Sequence, residues 1–431
     1  VIHACQHHYR QQAHDDRLEL ALRRQRAYLP FDALALADQG FASYIVEKEE
    51  VLGGNYRKLH YTLEGLDTRE HLTRLLDRAR KSELIKAYTG AEIVKIEGFI
   101  GNYKTTIRVK SEEQQFEHGV VIVATGAYEL KTEEYLCGQN PNVLTQRDLE
   151  ELIAGEDERV KRAGSVVMIQ CVGSRSPERP YCSRYCCSEA IKNALKLKEM
   201  DPGRDVTILY RDIRTFGLKE DFYKKARELN VKFVRYDEDR KPEVLADGSG
   251  LAVKVFDPIL NGFIDLKADM LALSVGTAPN PGNEEIGKML KVSTNQDGFF
   301  LEAHVKLRPV DFATDGVFMC GMAHAPKLSE EAITQANAAV SRACVILTKD
   351  FIEAEGKTAY VNKSRCSACG LCEVNCPFSA IAVDLNEGCA VVNTVLCKGC
   401  GVCTASCRMN AVDLNGFNNE EVLAQIAAFA M

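Results

Sequence analysis

Apolar positions along this chain fall into two kinds of run. Short, nearly unbroken runs read as buried strands: 41–47 (Phe-Ala-Ser-Tyr-Ile-Val-Glu), 118–126 ending in Ala-Thr-Gly, 165–170 (Ser-Val-Val-Met-Ile-Gln), 205–210, 268–276 ending in Ser-Val-Gly, and 314–321 ending in Met-Cys-Gly. Between them lie stretches of helical spacing: the end of an amphipathic helix at 33–40, a charged helix at 67–81, a helix at 188–199, and one at 330–347 behind Ser329, a good N-cap. Strand, helix and strand in succession predict an α/β chain with parallel sheets.

Composition narrows the class without naming it. The 431 residues allow two or three domains with cores of their own. A net charge of −7 argues against nucleic acid as a partner. No apolar run approaches the roughly 18 residues of a membrane span, and the start, Val-Ile-His-Ala-Cys-Gln-His-His, has no signal-peptide core. The expectation is a cytoplasmic protein. Because the first residue is Val, the chain is also expected to be a piece of a longer one.

Seventeen cysteines change the picture, because they are clustered. Residues 366–376 read C-x₂-C-x₂-C-x₃-C, and residues 397–407 repeat the spacing. This is the bacterial two-cluster ferredoxin run, in which the fourth cysteine ligates the other cluster. The expected sets are therefore Cys366, Cys369, Cys372 and Cys407 for one [4Fe–4S] cluster, and Cys397, Cys400, Cys403 and Cys376 for the second. Zinc sites more often use separated C-x₂-C pairs. Glycine after the second cysteine of each run (Gly370, Gly401) keeps the turn free of a side-chain clash. Cys389, between the runs, reads as an ordinary hairpin residue.

The rest of the chain carries weaker signals in a meaningful order. Glu47 closes a strand, as does the acid that holds an adenosine ribose in a Rossmann unit. Lys48 follows, then the pair Gly53-Gly54, where a backbone can approach a cofactor. Thr125-Gly126 and Cys320-Gly321 end two later strands, with His324 and Lys327 in the loop beyond and a helix N-terminus suited to an anionic flavin edge. In this order the pieces resemble a two-dinucleotide-binding-domain flavoprotein of the thioredoxin reductase and glutamate synthase small-subunit type. The Gly-x-Gly-x-x-Gly loop expected before Ala33 is missing. The sequence there reads Arg23-Arg-Gln-Arg-Ala-Tyr-Leu-Pro-Phe-Asp32, and residues 1–32 do not read as a strand. A truncated or frame-shifted start is the expected reason, with a genuine alternative N-terminus as the competing one.

In the second nucleotide unit, strand 165–170 runs into Cys171, Cys182, Cys186 and Cys187 where a glycine cradle would stand. This Cys-x₁₀-Cys-x₃-Cys-Cys block, with Tyr210-Arg-Asp-Ile-Arg-Thr-Phe-Gly and the pattern beginning Phe222-Tyr, resembles the A-type subunits of the heterodisulfide reductase family. That family includes flavin subunits of quinone-interacting oxidoreductases. The resemblance runs from about residue 33 to the C-terminus. It implies an oxidoreductase that holds FAD, with Glu47, Gly53, Gly54, Thr125, Gly126, Gly321 and Lys327 lining it, and Lys48 beside them. It also implies a third [4Fe–4S] cluster on Cys171, Cys182, Cys186 and Cys187. No catalytic residue is assigned for the flavin-centred chemistry, and Lys327 and His324 are the candidates. Some members bifurcate electrons at the flavin. The expected partners are other heterodisulfide reductase-like subunits, ferredoxin, and hydrogenase or formate dehydrogenase subunits.

The expected architecture is thioredoxin reductase-like α/β with a C-terminal α+β ferredoxin domain. Residues 33–135 and 275–350 would form the FAD domain, 136–274 a degenerate nucleotide domain bearing the cysteines, 355–415 the ferredoxin domain, and 416–431 a tail. Two departures from the family are visible: no further ferredoxin insertion, and no cysteine pair in 55–67. The competing functions are an NAD(P)H-dependent flavin reductase feeding its own ferredoxin domain, and a flavin-less electron-wiring scaffold. The missing glycine loop after Gln170 counts against the first.

Overall fold

A computed structural model describes residues 2–6, 31–248, 250–352 and 356–429. Two five-stranded sheets organise the body. In the first, the strands run in the order Val317–Met319, Val120–Val123, Ile2–Gln6, Ala42–Val46, Ile85–Tyr88. Val120, Val121, Ile122 and Val123 are fully buried because both faces of the sheet are covered. On one side Val120 and Ile122 pack with Leu36 of helix Phe31–Asp38 and with Ala339, Val340 and Ala343 of helix Ser329–Leu347. On the other, Val121 and Val123 meet Phe300, Phe312 and Met319.

The second sheet is wholly parallel, in the order Lys232–Arg235, Asp205–Tyr210, Ser165–Val172, Met270–Val275, Val143–Thr145. Its cover includes helix Cys186–Met200, whose Ala190, Ile191, Ala194 and Leu197 are buried against Val166, Met168 and Ile208. A two-stranded antiparallel link, Ala127–Glu129 with Thr277–Pro279, joins the two units. The ferredoxin lobe repeats one motif twice: a two-stranded sheet, a cysteine turn and a short helix.

Two expectations need correction, and a third lies outside the described residues. Ile2–Gln6 is a strand in the middle of the first sheet, antiparallel to both neighbours, with Ile2 opposite Val46 and Gln6 opposite Ala42. Backbone pairing across an otherwise open slot outweighs the polar composition that made the segment read as non-strand. The missing glycine loop falls at 7–30, outside the described residues. Ser329 is the first helical residue rather than the cap. Leu328 is the cap residue, and its N–H donates to the Glu331 carboxylate at 2.8 Å. On helix Cys186–Met200, Lys192 and Lys198 are buried despite their charge.

Candidate functional site

The ferredoxin lobe gathers the eight expected cysteines into two sets of four. One cavity is lined by Cys376, Cys397, Cys400 and Cys403, the other by Cys366, Cys369, Cys372 and Cys407. Each set draws three thiols from one run and the fourth from the other. Gly370 and Gly401 take φ of 75° and 78°, the left-handed conformation that lets each turn wind into the helix carrying the third cysteine.

Backbone donors complete both cavities. Ala390 and Ala411 N–H point at Cys366 and Cys407 Sγ (3.4 and 3.3 Å), and Ala359 and Ala380 N–H point at Cys397 and Cys376 Sγ (3.3 and 3.2 Å). Such donors stabilise thiolate and tune the potential of a cluster bound to it. No group of three or more His, Cys, Asp or Glu among the described residues is arranged to hold a single metal ion. A cubane carries its irons at separate corners, so its ligands need not converge on one point. The donor set, its crosswise pairing and the N–H···S bonds fit [4Fe–4S] clusters. Cys389 lies in the strand Cys389–Val392, paired with Ile381–Asp384, and lines neither cavity.

The middle cysteines are built differently. Strand Ser165–Val172 is irregular at its end, where Cys171 takes φ 64° and Gly173 φ 68°. A Cβ on Gly276 would stand 2.7 Å from the Gly173 carbonyl, so the two loops approach only because position 276 is glycine. Cys186 and Cys187 occupy the first turn of the 15-residue helix behind this loop, where the helix dipole favours thiolate.

All four thiols feel one another electrostatically. Burial first, then the neighbouring Cys187 and Cys182, raise Cys171 to about 11 against the opposing pull of Arg175. The contact between the vicinal pair separates them: Cys186 rises, while Cys187, bonded to Cys186 and near Arg214 and Arg175, falls to about 7. The fully buried Gln170 amide finds no partner at either end among the described residues, and neither does Ser188 Oγ. Orphaned donors flanking four thiols fit a group with acceptor sulfurs in this space.

The third region is the carboxyl edge of the first sheet. Strands Ala42–Val46, Val120–Val123 and Val317–Met319 run the same way, so Glu47, Thr125-Gly126 and Cys320-Gly321 emerge at one edge. Gly53, Gly54, Gly126 and Gly321 all have positive φ. Glu47 is buried and accepts from Glu49 N–H at 3.1 Å, whereas Lys48 is exposed. Thr125 donates to Asn283 Oδ1 at 2.8 Å.

Lys327 is also buried here, which lowers it to about 8. Its ammonium donates to Gln335 Oε1 (2.7 Å) and to His324 Nδ1 (3.2 Å), and Gln335 Nε2 approaches the same ring nitrogen at 2.9 Å. Two donors at Nδ1 put the imidazole proton on Nε2, facing the Glu302 carboxylate at 2.9 Å. These residues fit the edge of a dinucleotide cofactor. The phosphate cradle is another matter, because Gln6 ends the first strand opposite Ala42, at the far edge from Glu47.

Sequence reasoning missed how these regions are joined. Arg184, in the cysteine loop, bonds Glu331 in the first turn of helix Ser329–Leu347 at 2.6 Å, and Lys219 bridges Glu330 (2.7 Å) and Glu64 (3.4 Å). It also missed the buried pair of Lys192 with Glu150, 2.6 Å apart, and the Cys320 thiol donating to Asp32 at 3.2 Å. Burial raises that carboxyl to about 6. Only side-chain partners far apart in sequence reveal these contacts, and no local spacing marks them. His60 meets Arg69, His118 meets Thr105, and His304 accepts from Lys306 N–H, all away from the cysteine sets.

Comparison with known proteins decides the family. The A-type subunit of the H(2):CoB-CoM heterodisulfide,ferredoxin reductase from Methanothermobacter thermautotrophicus is 34% identical over 92% of this chain and 74% of its own length. The chain belongs to the family of heterodisulfide reductase A-type subunits. The A-type iron-sulfur subunit of the CoB--CoM heterodisulfide reductase of Methanocaldococcus jannaschii is 31% identical over 83% of the chain and 68% of its own length. Residues 359–382 match the 4Fe-4S binding domain family.

Among solved structures, Lactococcus lactis thioredoxin reductase aligns over 74% of the chain and 95% of its own, with a TM-score of 0.51 and 16% identity. That similarity shows the fold: two dinucleotide-binding units, here followed by a ferredoxin lobe. Membership makes the chain an oxidoreductase. No helix among the described residues is long and apolar enough to cross a membrane.

Proposed function

We propose that this chain is the electron-distributing member of a heterodisulfide reductase-like complex, with FAD at the carboxyl edge of the first sheet and three [4Fe–4S] clusters. The observation that carries the reading is the Arg184–Glu331 bond, which ties the loop of Cys182, Cys186 and Cys187 to the helix behind Lys327. Glu47, Gly53, Gly54, Thr125, Gly126, Gly321 and Lys327 would line the cofactor, and the two sheet units keep their carboxyl edges for it. FAD, when bound, exchanges electrons in pairs or singly, so it can join a two-electron donor to one-electron clusters. Lys327, at about 8, is poised to hold or release a proton beside it, with His324 and Glu302 behind.

Because the first strand exits at the edge away from Glu47, FAD should be held weakly. The finer reading, division of electrons between two acceptors, takes its support from the Methanothermobacter relative, whose name carries both a heterodisulfide and ferredoxin. Other subunits of such a complex, ferredoxin, and hydrogenase or formate dehydrogenase subunits are the partners this reading proposes, and the cytoplasm is the compartment.

Anaerobic stopped-flow reduction tests the assignment. Reduced ferredoxin should bleach the flavin and cluster bands, while NADPH at micromolar concentration should not, since Cys171–Cys187 replaces the glycine cradle. Rapid bleaching by NADPH would favour the self-sufficient reductase instead.

A further inference from the structure

The two cavities of the ferredoxin lobe repeat one motif, yet their surroundings differ. The cavity of Cys376, Cys397, Cys400 and Cys403 is also lined by Lys398 and Phe378. Lys398 forms an ion pair with Asp315, just before the strand Val317–Met319, and the Phe378 carbonyl accepts from Lys291 Nζ at 3.4 Å. Both contacts arise from one firm patch of the body: Thr314 Oγ1 donates to the Lys291 carbonyl at 2.8 Å, buried Tyr103 donates to the Asp315 carbonyl at 2.7 Å, and Arg308 stands 3.7 Å from the Asp315 carboxylate. Among the described residues, none lining the other cavity makes a hydrogen bond or ion pair with the body. That side instead presents Met409 in the cavity wall, and Val374 on the helix of Cys372 is 83% exposed.

We infer that Asp315–Lys398 and Lys291–Phe378 are a docking contact that gives the lobe a polarity. The Cys376/Cys397/Cys400/Cys403 site faces the body, and the Cys366/Cys369/Cys372/Cys407 site is the one that exchanges electrons with a separate protein. That exchange moves a single electron, the partner being an iron–sulfur protein whose own oxidation state changes by the same one electron. Lys398 and Asp315 are positioning residues. The inference rests on the two-cluster reading of the lobe, and an iron count with two resolved ferredoxin-type signals tests that reading separately.

Two measurements on the cluster-loaded protein test the polarity. Carbodiimide coupling followed by peptide mass spectrometry should yield an Asp315–Lys398 amide that disappears in Asp315→Asn. The surface pair Glu284–Lys288, 2.7 Å apart, serves as an internal positive control. In frozen solution with a dysprosium chelate, the reduced-cluster signal that Cys369→Ala removes should show several-fold greater relaxation enhancement than its companion. Asp315→Asn combined with Lys291→Ala should bring the two enhancements together. A control amide without the Asp315–Lys398 product, or equal enhancement in the unaltered protein, would overturn the polarity.

Discussion

In the ferredoxin lobe the buried cluster is Ala359, Cys372, Ile381, Ala390, Cys403 and Val412, with Cys366, Cys376, Cys397 and Cys407 packed against it. Beneath the middle cysteines the buried cluster is Leu149, Met168, Ile191, Leu197, Ile208 and their neighbours, with no cysteine among them. The lobe sets four thiols around each of two cavities, and the body brings four others within electrostatic reach of one another, but only in the lobe do those thiols belong to the packed apolar cluster. A small domain with so little apolar burial depends on its metal to fold. The body has apolar clusters of ordinary size in which Cys171, Cys186 and Cys187, though buried, take no part.

The largest effect should come from removing iron. Anaerobic chelation should strip protection from amides of the lobe throughout 359–414 in hydrogen exchange, while the strands Val120–Val123 and Asp205–Tyr210 keep theirs. Loss of protection in both regions together would erase the contrast.

The next effect lies wholly in the body. Lys192→Met leaves the Glu150 carboxylate uncompensated at a fully buried site and should cost about 3–5 kcal/mol in denaturant unfolding. A Lys192→Met, Glu150→Leu double variant should recover part of that, with iron content unchanged in either. Iron loss from Lys192→Met would mean that the cluster sites and the body core are one cooperative unit.

A smaller effect is expected from acid. Burial lowers His118 to about 4, where Nδ1 faces the Val120 carbonyl at 3.1 Å and Nε2 faces Thr105 Oγ1 at 2.7 Å. Between pH 6.5 and 4 the unfolded chain binds the extra proton, so this contribution is present above pH 6.5 and is lost as pH falls toward 4. It amounts to about 3 kcal/mol. Asp32 and Glu189, raised by burial to about 6 and about 7, act in the opposite sense. The measurement is therefore a difference: the stability advantage of the unaltered protein over His118→Gln should shrink by about that amount between pH 7 and pH 4. A pH-independent difference would remove His118 from the account.

What could be read from the sequence follows the same divide. The crosswise ferredoxin sets are visible because every partner lies within one short repeat whose spacing sets the geometry. The strands ending at Glu47, Gly126 and Gly321 are visible as apolar runs, and their common edge follows from parallel pairing. Tertiary contacts carry the rest. Lys192 resembles any helix-surface lysine until Glu150 is brought beneath it. Glu302 and Gln335 carry no local mark of their tie to His324. Arg184 gives no hint of Glu331, which lies 147 residues away. The strand Ile2–Gln6 was hidden because its partners, rather than its own residues, make it a strand.

The central claim is that the middle cysteines hold a cluster of their own beside a body that stands without it. Iron analysis and low-temperature electron paramagnetic resonance of anaerobically reconstituted protein test it most directly. The unaltered chain should carry about twelve irons, three cubanes of four. Changing Cys186 and Cys187 together to Ala should remove about four while leaving both ferredoxin-type signals intact. An iron count unchanged by that double substitution would contradict the claim.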